Sequence, residues 1–454
     1  MNGELPKGWI WTSLENIADI VLGQSPPSST YNEDKIGLPF YQGKSEFGLI
    51  YPTPTKWCFS PKKIAESGDV LISVRAPVGP TNICPEKSCI GRGLAAIRGL
   101  ENINNKFILY LLRNFEEQLR NKATGTTFEA ITGNVLRDFE VPLPPLQEQQ
   151  RIVNKIEELF TNLDKGVESL EEVKYKLKVY RKAILKYAME GKLTEKWREE
   201  NKDKIESLGS LINKININSE LPKNLPEIWV EMRVKDIGEV VTGTTPSKSI
   251  KEFYGDDYPF FKPKDLNKGY YVNTSEDGLS HKGIQKSRIL PPKSILVTCI
   301  GATIGKTGFT RVEGASNQQI NAIIPFKSVF PEFIYFYSIS SQFQKNIITN
   351  SSSTTLPILN KSKFEILSLS LPPLEEQHKI VERIEQLFSL ADYIEETVDA
   401  KLEQSKLLRQ SILKKAFEGK LVPQDPNDEP AELLLERIKM EKPNKEKLVQ
   451  EKLI

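Results

Sequence analysis

The chain is written twice. Residues Pro144–Leu193, beginning PPLQEQQRIVNKIEELF, return at Pro372–Leu421 as PPLEEQHKIVERIEQLF. The offset is 228 with no gap, pairing Gln149 with Gln377, Ile156 with Ile384, Phe160 with Phe388 and Gly191 with Gly419. A repeat of this kind constrains the fold before any local reading does: two copies of one unit, pseudo-twofold symmetry, and a target expected to have two parts. Looser matches precede it. LPKGW at Leu5–Trp9 answers LPEIW at Leu225–Trp229, and Gly23–Pro26 answers Gly243–Pro246, both at an offset of 220. Asp69–Ser73 matches Ser294–Thr298 at an offset of 225. Copy two thus carries about eight extra residues, all before the conserved block. A shared framework with divergent loops is the pattern of two copies that recognise different things.

The repeated block predicts a long helix. Pro144-Pro145 and Pro372-Pro373 precede it, and proline is tolerated only at or before a first helical turn. Gly191 and Gly419 stand where a C-terminal glycine belongs. Apolar residues recur on a heptad: Ile156, Leu163, Leu170, Leu177 and Ile184 in copy one, and Ile384, Ala391, Val398 and Ile412 in copy two. Leu159, Val173 and Tyr180, and then Leu387, Ile394 and Leu408, supply the second seam position, which Gly166 interrupts in copy one, while Ser405 is the weak point of the first seam in copy two. Five heptads suffice for a coiled coil, and about 44 residues make a rod of roughly 65 Å. The expected fold is mixed α/β (α+β), with the two helices paired antiparallel. The alternative is that each helix packs only on its own globular domain.

The expected organisation is a first globular domain at 1–143, its helix at 144–193 and a polar linker at 194–224. A second domain at 225–371, its helix at 372–421 and a tail at 422–454 with a short amphipathic helix near 431–440 complete it. Val70–Val74, Ile295–Ile300, Ala95–Ile97 and Asn321–Ile324 read as strands, and Phe107–Phe115 and Phe333–Ile339 as helices. With 454 residues, 39% hydrophobic and 27% charged, the composition is that of a globular protein. No apolar run is long enough to span a membrane, and the N-terminus has no signal-peptide core. Four cysteines without CxxC spacing and only two histidines argue against a zinc site and for free thiols in the cytoplasm. The net charge of +2 neither demands nor excludes nucleic acid.

These features resemble the specificity subunit of type I DNA restriction-modification systems. The marks are the tandem block at Pro142–Phe160 with its twin at Leu369–Gln377, the Trp-bearing start of each copy, and GKLVPQDPNDEPA in the tail. The resemblance covers essentially the whole chain. It implies two target-recognition domains, each reading one half of a bipartite double-stranded DNA sequence, with the helices as spacer. It also implies two methyltransferase subunits and two ATP-dependent restriction subunits as partners. S-adenosylmethionine, ATP and Mg would bind those partners and no cofactor this chain. Copy one departs from the usual pattern in having Gly91-Arg92-Gly93 where copy two has Asn317-Gln318-Gln319.

No catalytic constellation is visible. Gly301–Thr307 (GATIGKT) has three residues between its glycines, where a phosphate-binding loop needs four, and reads as a glycine-rich turn. The competing reading from another class is a coiled-coil scaffold with two ligand modules that never touch DNA. Candidate DNA contacts follow from residue type, since Arg and Lys suit guanine and phosphate, Asn and Gln suit adenine, and Ser and Thr suit either. In copy one these are Gln24, Ser25, Lys44, Ser45, Arg75, Arg92, Thr124, Thr126 and Thr127. In copy two they are Thr244, Thr245, Lys262, Lys264, Lys306, Gln318, Thr354 and Thr355. The bland reading of each Ser/Thr run is a solvated loop, and that of the lysines along the helices a solvated helix face.

Overall fold

The computed structural model describes residues 4–125, 129–202, 225–267, 270–352 and 356–440. The chain divides into two compact units, one of Met1–Leu170 with Ala400–Ile454, the other of Glu171–Asp399. Each therefore holds a globular domain and a stretch of both long helices.

In the first unit a four-stranded antiparallel sheet runs in the order Ala18–Leu22, Leu94–Gly99, Val70–Ser73, Thr81–Ile83. Val70, Ile72, Ala95 and Ile97 are buried in one apolar cluster, under the helix Asn105–Asn114 with its buried run Phe107–Leu112. A mixed five-stranded sheet carries Leu38–Tyr41 parallel to Ser88–Ile90. Ile10–Ser13 pairs with Glu140–Leu143 and brings the domain's start against its end. The second unit repeats this order with Gly238–Thr242, Ile320–Pro325, Ile295–Thr298 and Thr307–Phe309, and closes through Val230–Arg233 on Ser368–Leu371. Its accessory sheet is smaller, with three strands.

The repeated blocks form helices Leu146–Met189 and Leu374–Phe417, each of 44 residues. Both end at a left-handed glycine, Gly191 (φ 70°) and Gly419 (φ 68°). Within the first unit, Ile152, Val153, Ile156 and Phe160 near the start of one helix share a core with Ile412, Leu413, Ala416 and Phe417 at the end of the other. Within the second unit, Ile184, Leu185, Ala188 and Met189 meet Ile380, Val381 and Ile384. Lys174 bonds Asp399 at 2.7 Å and, seven residues on, Arg181 bonds Asp392, seven residues back. Start meets end in each unit, so the pairing is antiparallel, and each helix does more than pack on its own domain. The second seam position is narrower than the heptad suggests: Tyr180 and Leu408 are exposed. A 3.6-residue helix drifts against a seven-residue repeat, and burial moves instead to Leu185 and Leu413.

The repeated motifs explain themselves as two matching knots. In the first unit the indole of Trp9 donates to the buried carboxylate of Glu148 at 3.0 Å, and Gln424 joins that carboxylate (3.2 Å) to the carbonyl of Gly419 (2.7 Å). In the second, Trp229 donates to Glu376 at 3.0 Å, while Arg198 joins Glu376 to the carbonyl of Gly191. Pro6 lies against Gly419 and Pro226 against Gly191, so neither glycine has room for a side chain. Gln149 and Gln377 cap the carbonyls of Pro144 and Pro372. The L-P-x-x-W, PPL-x-EQ and terminal glycine signatures are thus parts of one fastening that ties the start of one helix to the end of the other.

One stretch differs from its expected character, and the tail helix lies where the sequence placed it. The first residues of the polar linker are docked: Glu195–Glu200 is helical and supplies Arg198, while 203–224 lie outside the described residues. The tail helix, residues 431–440, buries Ala431, Leu434 and Ile438 in the first unit's core.

Candidate nucleic-acid interface

At one end of the first central sheet four loops converge: 23–27, 42–46, 74–80 and 91–93. Gly23 N–H bonds the carbonyl of Leu94 (2.9 Å), Gln24 N–H that of Ile90 (3.1 Å), Gly91 N–H that of Tyr41 (2.8 Å) and Val74 N–H that of Gly93 (2.9 Å). The approach is close enough to require glycine: a Cβ at Gly93 would stand 2.3 Å from the carbonyl oxygen of Gln42, and one at Gly23 2.2 Å from that of Gly91. The arrangement brings together Gln24, Ser25, Lys44, Ser45, Arg75 and Arg92. All but the half-buried Ser25 are exposed. Thr124 joins them from a small hairpin, bridged to Ala130, which is bridged in turn to Arg75. Thr126 and Thr127 lie outside the described residues. Gln42, exposed beside Gly91 and Gly93, holds the position that Lys262 takes in copy two and escaped the sequence reading.

The second unit builds the same corner. Ser352 and Ile358 form the equivalent hairpin, with Ile358 bridged to Ile300. Short helices capped by Thr132 and Asn360 follow the hairpins at matching positions. Gly243 N–H bonds Ile320 O (3.0 Å), Asn317 N–H bonds Phe261 O (3.1 Å) and Cys299 N–H bonds Gln319 O (2.7 Å). Thr245 donates its hydroxyl to Oε1 of the exposed Gln318 at 2.6 Å, and Asn317 and Gln319 join amide to amide at 2.8 Å.

Other candidates fare differently. Thr244 turns its hydroxyl inward, buried without a partner among the described residues. Lys262 is paired to Asp277 at 2.7 Å, and Lys264 to Glu276 and Asp277. Lys262 holds the Asp277 carboxyl below its usual range. Such half-exposed pairs add little stability but occupy the ammonium groups. Lys306 lies in the turn joining Ile295–Thr298 to Thr307–Phe309, a hairpin and not the strand-to-helix turn of a phosphate-binding loop. Thr354 and Thr355 lie outside the described residues. Arg288, which donates to the carbonyl of Thr242 at 2.7 Å, enters the cluster unannounced by the repeat. Among the described residues no group of three or more His, Cys, Asp or Glu could hold a metal ion, and no helix is long and apolar enough to cross a membrane.

Comparison with known proteins gives this corner its setting. The model of the type I restriction modification DNA specificity domain matches residues 6–175 and again 226–404. The EcoBI specificity subunit of Escherichia coli is 29% identical over 475 residues, covering 96% of this chain and 92% of the relative. The putative MjaX specificity subunit of Methanocaldococcus jannaschii is 41% identical over 201 residues, where the match spans 43% of this chain and 45% of the relative. A chain solved in work on complex assembly and conformational transition of the type I R-M system superposes with a TM-score of 0.65 at 21% identity, covering 92% of this chain and all of that one. The HsdS subunit of Thermoanaerobacter tengcongensis gives 0.55 at 20% identity, covering 92% and 99%. The family match falls once on each copy of the repeat, and the chain belongs to the specificity subunits of type I restriction-modification systems.

Proposed function

We propose that each loop cluster reads one half of a bipartite, asymmetric double-stranded DNA target, the domain at 1–143 one half and that at 225–371 the other. The observation that carries this reading is one corner built twice on the same hydrogen-bonded framework with different exposed side chains, Arg75, Arg92 and Gln24 in one and Gln318 and Thr245 in the other. A common frame with unlike contacts is what two unlike half-sites require. As a specificity subunit the chain is non-catalytic, and it directs partner subunits to the site. We assign those partners as two methyltransferase and two restriction subunits, with S-adenosylmethionine, ATP and Mg bound on them, working in the cytoplasm. The scaffold alternative lacks the support that family membership gives to DNA.

The test is to express the chain with its methyltransferase subunit in a host without modification and map modified bases across the genome. A two-part motif with a fixed spacer is expected. Exchanging residues 1–143 for another member's first domain should change one half only. Modification without a two-part motif would refute the reading, and a change in both halves would refute its modularity.

A further inference from the structure

We propose that residues 92 and 318 are the same reading position in the two domains, with Arg92 selecting guanine and Gln318 selecting adenine. The inference rests on the DNA reading above and goes beyond it to the bases.

Both residues lie two positions before a central strand, Leu94–Gly99 or Ile320–Pro325, and both are exposed. Each loop is clasped by a hydroxyl from the Gly-x-Ser/Thr-Pro turn at matched positions, but in opposite senses. Ser25 Oγ accepts the backbone N–H of Arg92 at 3.2 Å, which fixes the loop and leaves the guanidinium uncommitted to it. Thr245 Oγ1 donates to Gln318 Oε1 at 2.6 Å, which fixes the side-chain amide itself. Among the described residues, Lys262 and Lys264 carry carboxylate partners, whereas Arg92 forms no ion pair. A free guanidinium fork matches the O6 and N7 acceptors of guanine. A held carboxamide, with a lone pair and both N–H groups to spare, matches the N6 donor and N7 acceptor of adenine. The flanking residues fit the same division: Gly91 and Gly93 bring backbone close under Arg92, and Asn317 and Gln319 lock to each other beside Gln318.

The experiment uses the full chain assembled with its methyltransferase subunits. Binding is measured on duplexes carrying the mapped target and on a series with one base pair replaced at a time. Arg92→Gln should weaken binding to the mapped target roughly ten- to a hundred-fold through loss of preference at one G·C pair in one half-site. Arg92→Lys, which keeps the charge but not the fork, should not restore that preference. Gln318→Arg should act at one A·T pair in the other half-site. Thr245→Val should erode the preference at that same A·T pair, and Thr245→Ser should retain it, an outcome that a merely structural hydroxyl would not give at a single pair. If Arg92→Gln weakens all duplexes alike and lowers the salt slope by about one, the contact is to phosphate and the assignment is overturned. Unchanged preference at every pair overturns it as well, leaving the DNA reading intact. A wild-type complex with no two-part target overturns both.

Discussion

Replacing Arg198 by methionine removes the cation from the second unit's knot and leaves the Glu376 carboxylate in place. Glu376 is 0% exposed and the Arg198 side chain 16%, so this is a buried pair. Removing one member of such a pair costs about 3–5 kcal/mol, because the remaining charge is stranded. Here Trp229 at 3.0 Å and Thr194 at 2.6 Å still donate to the carboxylate, which points to the lower end, about 3 kcal/mol. The first unit supplies an internal control. Its equivalent donor is the neutral Gln424 at 3.2 Å, and Gln424→Ala should cost only about 1 kcal/mol. Hydrogen exchange read by mass spectrometry resolves the two knots separately. Peptides covering 226–237 and 374–384 should exchange about two orders of magnitude faster in Arg198→Met, since each ~1.4 kcal/mol is tenfold. Adding Glu376→Gln removes the stranded charge, so the double variant should be more protected than Arg198→Met alone. If Arg198→Met lies within about 1 kcal/mol of wild type, or Glu376→Gln brings no recovery, the buried-charge account is wrong.

Three further outcomes are expected. Burial raises the pKa of Glu148 despite the opposing donors Trp9 and Gln424. With the folded value above the unfolded one, its ionisation disfavours folding at neutral pH, and that penalty fades as pH falls through the folded value. The stability of wild type relative to Glu148→Gln should therefore rise from pH 7.5 to pH 5 in urea titrations, and a fall would contradict the assignment. Leu434→Ala, at a 1% exposed position in the tail, should cost the first unit about 2–5 kcal/mol, checked by exchange in peptides from residues 105–115. Burial pushes the Cys89 and Cys299 thiols up to about 12 and Cys84 to about 11. Native protein should thus react with Ellman's reagent far more slowly than denatured protein, which should release four equivalents.

The repeat, the helix limits and the central strands were legible because each leaves a periodic or punctuating mark: alternation, heptads, flanking prolines, a terminal glycine. The role of the signature residues was not. Trp9, Glu148 and Gln424 are scattered along the chain and meet only through antiparallel pairing, so their spacing carries no trace of the contact. Arg198 sat in a stretch polar enough to read as linker, and only the buried acceptor it serves makes it structural. Among the base-reading candidates, residue type could not separate Arg92 from Lys262. The difference lies in Asp277, fifteen residues beyond Lys262 and unmarked by any motif. Gln42 escaped because the two copies carry unlike residues at that position, Gln42 against Lys262, and Arg288 because only its bond to the carbonyl of Thr242 brings it to the loops.

Ala431 N–H bonds the carbonyl of Gly8 at 2.9 Å, and its helix fills the core of the unit that begins the chain. On the ribosome these partners are born far apart in time. At ~5–20 residues per second, the stretch from 170 to 431 takes roughly 10–50 s to make. Throughout that interval the nascent first unit bares Ile152, Val153 and Ile156 without the Ile412–Phe417 face that covers them. It is a natural client for chaperones during synthesis. A stop codon before residue 431 would accordingly injure the earliest-made unit of the protein, most of whose residues lie far upstream of the lesion.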